Sequence, residues 1–235
     1  AQAVPVVRVM RESDNMTVIP WTAAEKIDAG ENFTGSFETS VTIPAGGLYR
    51  IETSLETRST LPNLTWLYRG DCVLHLGVGD LFVIAGQSNS AGFGKDFCDD
   101  PPHLCVHLFR NRSKWDLACH PMNESTFGGS LPNEEMGIPG VSPYLSFAKT
   151  YYEITGRPVG LIQTSMGGSP MSRWKPRKGD LYGNMMDKIH QTGGKYAGIL
   201  WYQGCSDTDP EPAAQYFQHF KEYVEAVRAE LGYSI

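Results

Sequence analysis

Asp80-Leu-Phe-Val-Ile-Ala-Gly-Gln-Ser-Asn-Ser-Ala-Gly92 begins with an apolar run, Leu81 to Ala85. The run stops at Gly86 and gives way to small polar residues, Gln87, Ser88, Asn89 and Ser90. A buried strand that ends in a tight turn presents its first polar side chains at the carboxyl edge of the sheet, where open α/β sheets collect ligands. A serine in that place has two readings. It is a turn former or helix cap, or it is an exposed nucleophile.

Two further runs of the same kind favour the second reading. Pro158 to Gln163 is short and apolar and leads into Thr164-Ser165-Met166-Gly167-Gly168-Ser169-Pro170. Ala197 to Tyr202 leads into Gln203-Gly204-Cys205-Ser206-Asp207. The set predicts three parallel strands that feed three loops onto one rim. A serine on the first loop, glycine amides on the second and a side-chain amide on the third would supply a nucleophile and oxyanion donors for acyl transfer.

These blocks together resemble the sialate O-acetylesterase-like branch of the SGNH hydrolases, a branch that includes acetylxylan esterases. The carriers are Gly86-Gln87-Ser88-Asn89, Gly160 through Pro170, and Trp201-Tyr202-Gln203-Gly204, in order, between about Asp80 and Leu231. The resemblance implies a three-layer, flavodoxin-like parallel-sheet core over residues 79–235. It implies a serine ester hydrolase that removes O-acetyl groups from a carbohydrate, either sialic acid or a plant polysaccharide, with no cofactor and no metal. Ser88 would be the nucleophile. Its own amide, a Gly167 or Gly168 amide and the Gln203 side chain would hold the oxyanion. Gln87, Asn89, Arg173 and Trp174 would contact substrate.

The chain departs from the family pattern twice. Members take their base from an Asp-x-x-His block near the C-terminus, on a loop after a further strand, and no such block follows the third apolar run here; the pattern at Asp100–His103 lies in the long loop and that at Asp187–His190 in a predicted helix. Of the six histidines, His190 and His219 fall in predicted helices, and His120 in a long loop is the candidate that remains. The sheet is therefore expected to be incomplete, with a second chain or a C-terminal segment supplying the histidine. Many relatives also carry Glu directly after Gln-Gly, where this chain has Cys205; Asp207 is then the nearest candidate acid. The second hypothesis is a non-catalytic carbohydrate-binding protein on the same fold.

Residues 1–78 have another texture. Short segments rich in Val, Ile, Thr, Phe and Tyr alternate with turn clusters, which predicts a small all-β domain. Phe33, Gly35, Phe37, Thr39, Val41 and Ile43 share one parity and predict a strand with one buried face. Beyond Asp80, three helices are expected. The first starts at Ser142-Pro143, the second is capped by Asp180 and carries Leu181, Met185 and Ile189, and the third opens at Pro212. The stretch 93–140 reads as one long irregular loop over the rim, with Arg110-Asn111 and Lys114-Trp115 as candidate sugar contacts.

Composition sets the outer bounds. Of the residues, 41% are hydrophobic, and the net charge is −6. That charge argues against a nucleic-acid partner, and no apolar run is long enough for a membrane span. Ala1 to Pro5 shows no intact leader, which points to the bacterial cytoplasm; a leader already removed is left open. Five cysteines at irregular spacing do not make a disulfide framework. Cys98 and Cys105 near His103 and His107 fit no zinc pattern well. Asn-x-Ser/Thr sequons stand at Asn15, Asn32, Asn63, Asn111 and Asn123. Because Asn123 lies in a segment that resembles bacterial relatives, they are read as incidental.

Overall fold

The computed structural model describes residues 3–31, 34–58, 65–123, 132–134 and 137–235, and the chain divides at Gly79 into two units. The described elements of the first unit are all strands: β1 (Ala3–Arg11), β2 (Thr17–Ala23), β3 (Lys26–Ala29), β4 (Gly35–Glu38), β5 (Leu48–Arg58) and β6 (Thr65–Gly77). One antiparallel sheet runs β2-β1-β5-β6, and β3 with β4 forms a separate ribbon. Val6, Val7, Val9, Met10 and Tyr49 are its buried apolar residues.

The alternating stretch from Gly35 to Ile43 differs from its expected form. Only Gly35–Glu38 is a strand, and all four of its residues are exposed. Period-2 alternation is shared by a strand on a core and by a solvated two-stranded ribbon, and β4 is the latter. Phe33, Leu64 and the sequons at Asn32 and Asn63 lie outside the described residues.

The second unit contains β7 (Asp80–Gly86), α1 (Ser88–Ala91), β8 (Val106–Phe109), β9 (Trp115–Leu117), α2 (Tyr144–Thr155), β10 (Val159–Gln163), α3 (Asp180–Thr192), β11 (Tyr196–Tyr202) and α4 (Pro210–Leu231). The sheet order is β11-β7-β10-β8-β9. The first four strands pair in parallel, and β9 turns back against β8. The three apolar runs that end in glycine loops are thus neighbours, with β7 in the middle.

Side-chain alternation divides the core. Val83 and Ala85 of β7 and Ile162 of β10 pack with Leu181, Met185 and Ile189 of α3 and with Tyr223 and Val227 of α4. Phe82, Ile84 and Leu161 point the other way, onto Tyr144, Leu145 and Ala148 of α2. A strand buried on both faces must be apolar at consecutive positions, which is why β7 reads as an unbroken run.

Stop signals are local. Gly156 and Gly232 take left-handed φ values of 67° and 75° and close α2 and α4. The expected caps shift slightly: Pro143 and Gly179 occupy the cap positions, and Asp180 is the first residue of α3. The stretch 93–140 is not a single loop. It holds β8, an interior strand with Val106 and Leu108 fully buried. No helix among the described residues is long and apolar enough to cross a membrane.

Candidate active site

The rim is built from β7 outward. Gly86 has φ +124°, and a Cβ built on it would lie 2.3 Å from the Tyr202 carbonyl oxygen and 2.7 Å from its carbon. Only glycine lets the chain turn this close to β11. The next residue locks the turn. The Gln87 N–H donates to the Tyr202 carbonyl at 3.0 Å. The buried Gln87 side chain accepts the Gly204 N–H at 3.0 Å and the Ser206 N–H at 3.2 Å through Oε1.

The second loop is tied to the same strand end. Met166 N–H and the Ser169 hydroxyl donate to the Gly86 carbonyl at 3.1 and 3.3 Å. Gln203 Nε2 donates to the Ser169 carbonyl at 3.1 Å and also to Asp207 Oδ2, which accepts the Met171 N–H at 2.9 Å. The first loop therefore holds the second and third, and the second and third hold each other. A ring of charge-assisted and backbone bonds of this kind fixes loop positions before any ligand arrives.

Ser88 opens α1 on this rim. Its side chain is half-buried, and no hydrogen bond engages its hydroxyl among the described residues. Nearby Ser90 is different: it is fully buried and bonds the Ala85 carbonyl at 2.9 Å and the Tyr144 hydroxyl at 2.6 Å. Two serines in one motif thus divide into a structural one inside and an available one at the rim. Gly167 is half-buried; Gly168 is exposed with φ +64°.

Several expected roles change on contact with this geometry. Trp174 cannot touch substrate: it is fully buried, edge-on to Trp201 and Tyr223, with its N–H on the Ser169 hydroxyl at 3.3 Å. Gln87 is a brace, its oxygen taken by two backbone donors. Gln203 spends both amide hydrogens within the protein, on Ser169 and Asp207, so it offers no donor to an oxyanion in this arrangement. Asp207 is 7% exposed and holds Met171 and Gln203, not a histidine. Arg173 makes a two-point pair with Asp180 at 3.0 and 2.6 Å and donates to the Pro132 carbonyl. That pairing holds the Asp180 carboxyl below its ordinary value. Asn89 alone of the four expected contacts is exposed.

His120 is also occupied. Its Nε2 meets Asp100 Oδ2 at 3.0 Å, and its Nδ1 is covered, with no partner among the described residues. Asp100 further takes Lys149 and the Ser146 hydroxyl. Burial pushes the Asp100 carboxyl up, but the bonds from Lys149, His120 and Ser146 outweigh it and leave the group below the ordinary carboxylate value. Among the described residues, no group of three or more His, Cys, Asp and Glu is placed to hold a metal ion.

A buried polar network under the second loop was not legible as a unit. Lys188 of α3 donates to Asn111 Oδ1 at 2.6 Å, to the Gln163 carbonyl at 2.7 Å and to Asn133 Oδ1 at 3.3 Å. Asn123 joins it and donates to the Ser165 carbonyl at 3.1 Å. Asn111 is therefore an interior strut and not a sugar contact, while Arg110 is engaged by Asp116.

The fold and the rim define a protein with a parallel α/β sheet whose central strand ends in a half-buried serine, Ser88, with an unengaged hydroxyl among the described residues, flanked by glycine-bearing loops. The comparisons with known proteins narrow that class. A family profile described as carbohydrate esterase, sialic acid-specific acetylesterase matches residues 78–234, and the chain belongs to this family. It is 26% identical over 174 residues to a probable carbohydrate esterase of Arabidopsis thaliana, covering 65% of this chain and spanning 64% of that relative's length. The crystal structure of the same Arabidopsis protein superposes with a TM-score of 0.58 at 23% identity, over 66% of this chain and 69% of that one. A carbohydrate acetylesterase from Xanthomonas citri gives 0.47 at 17% identity, over all of this chain and 55% of the other.

Proposed function

We propose that this chain carries the catalytic rim of a serine carboxylic-ester hydrolase that removes O-acetyl groups from a carbohydrate through an acyl-enzyme on Ser88. The observation that supports it is a half-buried serine whose hydroxyl is unengaged, on a loop braced from both sides, in a chain of the carbohydrate esterase family. On this reading, the second unit is a three-layer SGNH-type core and the first a small all-β domain ahead of it.

The chemistry follows the acyl-enzyme route. Ser88 Oγ attacks the acetyl carbonyl carbon, and its proton passes to a base. The sugar oxygen leaves with a proton, and water then cleaves the acetyl-serine to release acetate. The Ser88 amide and an amide of the Gly167-Gly168 turn are the oxyanion donors we assign. Gln203 and Asp207 serve by holding the second and third loops in place. As the base we assign a histidine brought by a further segment or a second chain, because no histidine is bonded to Ser88 among the described residues and the Nδ1 of His120 is covered.

A non-catalytic carbohydrate binder is the second reading. It is favoured by the Ser88 hydroxyl having no histidine partner among the described residues. A fluorophosphonate probe, which labels activated serines, separates the two. In the protein together with the segment or second chain that brings the base, labelling of Ser88, and p-nitrophenyl acetate hydrolysis that disappears in Ser88→Ala, are the expected results. Hydrolysis that survives Ser88→Ala would remove Ser88 from the reaction; a protein with neither labelling nor hydrolysis would leave the binder.

A further inference from the structure

A cleft of about 450 Å³ adjoins the serine loop at Asn89. Its walls include Asn89, which follows the serine, and Tyr202, whose carbonyl holds Gln87. The segment around Phe97 and the start of α2 at Ser142 complete it.

Three features of this cleft suit one kind of occupant. The first is aromatic. Phe97 is 94% exposed and Tyr202 51% exposed, and both line the cleft. Rings in that condition offer apolar faces to the C–H faces of a sugar, and covering them removes apolar surface from water. The second is polar. Ser142 is 4% exposed, yet its hydroxyl has no partner among the described residues. A covered hydroxyl without a partner is costly, and a ligand hydroxyl would satisfy it.

The third is charge. Among the described residues, the lining residues that bear a formal charge are Asp96 and Asp100, with no Lys, Arg or His. Asp100 is answered by Lys149 and His120; Asp96 is exposed. The neighbouring Lys95 directs its ammonium to the Ile138 carbonyl and the Phe93 ring. Cations instead gather in a separate hollow at the β8–β9 turn, with Arg110, Arg112 and Lys114, which includes no residue of the serine loop. A sugar carboxylate in this cleft would therefore meet carboxylates and find no guanidinium to pair with.

We infer that this cleft binds the sugar ring of the ester substrate, and that the sugar is neutral and hydroxyl-rich, not carboxylated as sialic acid is. The inference rests on the esterase reading for the fate of the acetyl group, but ring recognition stands on the cleft itself. Sugar C–H faces pack on Phe97 and Tyr202, hydroxyls donate to Asp96, and one hydroxyl pairs with Ser142.

Cys98 supplies the readout, since it is exposed and lines the cleft, whereas exposed Cys205 does not line it. Iodoacetamide alkylation of both thiols is followed by peptide mass spectrometry with acetylated xylobiose or with an O-acetylated sialic acid present. Acetylated xylobiose should slow Cys98 alkylation and leave Cys205 unchanged, and the sialic acid should do neither. Phe97→Ala should raise the half-protecting concentration by about 3- to 10-fold, the worth of one aromatic contact, and Arg112→Ala should not. Equal or better protection by the sialic acid, no protection by xylobiose, or no effect of Phe97→Ala each overturns the inference. Fluorophosphonate labelling of the same samples keeps the two readings apart. A labelled Ser88 beside an unprotected Cys98 sinks the cleft and keeps the nucleophile; a protected Cys98 beside an unlabelled Ser88 does the reverse.

Discussion

Gly86→Ala is the most telling perturbation of the rim, because two separate costs meet at one carbon. At φ +124° an L side chain is strained, which costs about 1–3 kcal/mol. The new Cβ would also sit 2.3 Å from the oxygen and 2.9 Å from the nitrogen of Tyr202. Those are backbone atoms of a paired strand and cannot rotate aside, so overpacking adds about 1–3 kcal/mol. A total near 4 kcal/mol corresponds to a melting temperature lowered by about 8–16 °C for a domain of this size. Gly168→Ala is the control: its φ is also positive, at +64°, but nothing lies within 4 Å of the added carbon. It should cost about 1 kcal/mol, the left-handed penalty by itself, or about 2–4 °C. Thermal melts of the two variants by circular dichroism decide the matter. Equal shifts, or a larger shift for Gly168→Ala, would refute the claim that β11 closes over Gly86. Fluorophosphonate labelling of Ser88 should also slow in Gly86→Ala at temperatures where it is still folded, since relief of the clash must move the serine loop.

Gln87→Ala deprives the Gly204 and Ser206 amides of their acceptor and should cost about 2–4 kcal/mol in urea unfolding; a loss below about half a kcal/mol would show that the brace is dispensable. Trp174→Ala should cost about 3–5 kcal/mol and leave saccharide protection of Cys98 unchanged; altered protection would place the indole at the ligand. Asp100 predicts an acid effect. Its folded pKa lies below the reference 3.8, so its contribution to stability is present above that value and is lost as pH falls through the folded pKa. Urea midpoints of the parent should therefore fall more steeply on acidification in that window than those of Asp100→Asn, and parallel curves would deny the carboxylate this role.

β7 and β10 were legible because each is a buried run cut off by a glycine loop, and burial on both faces leaves a continuous apolar signature; β11, a half-buried edge strand, was legible from its apolar run ending in Gln203-Gly204. β8 was not legible. It is four residues long, and His107 breaks the apolar pattern between Val106 and Leu108, after a segment dense in Pro and Cys. Its strand character comes from pairing with β10, a partner far away in sequence. The rim residues failed in a consistent direction. Gln87, Gln203, Asp207 and Trp174 were expected to act on substrate or in catalysis, but their side chains turn inward to hold the loops. Spacing along a chain locates a loop; it does not say which way a side chain faces, because that depends on backbone donors and acceptors contributed by other loops. The exposed β4 ribbon is the same lesson in a strand: alternation records two faces without saying that either is covered.

The interior position of Asn111 and Asn123 has a consequence for where this chain can be made. Both head Asn-x-Ser sequons, yet they are 5% and 0% exposed, with their amide nitrogens donating inside the network around Lys188. An oligosaccharide is too bulky to fit there, and N-glycosylation acts on accessible surface positions. In a glycosylating secretory host, attachment at either asparagine has to occur before the chain folds, and it would then bar that molecule from the native state. Asn15 is exposed at the β1–β2 turn and tolerates such a group. Glycan occupancy would thus sort the product of such a host: sugar at Asn15 on molecules that folded, and sugar at Asn111 or Asn123 on molecules that never did.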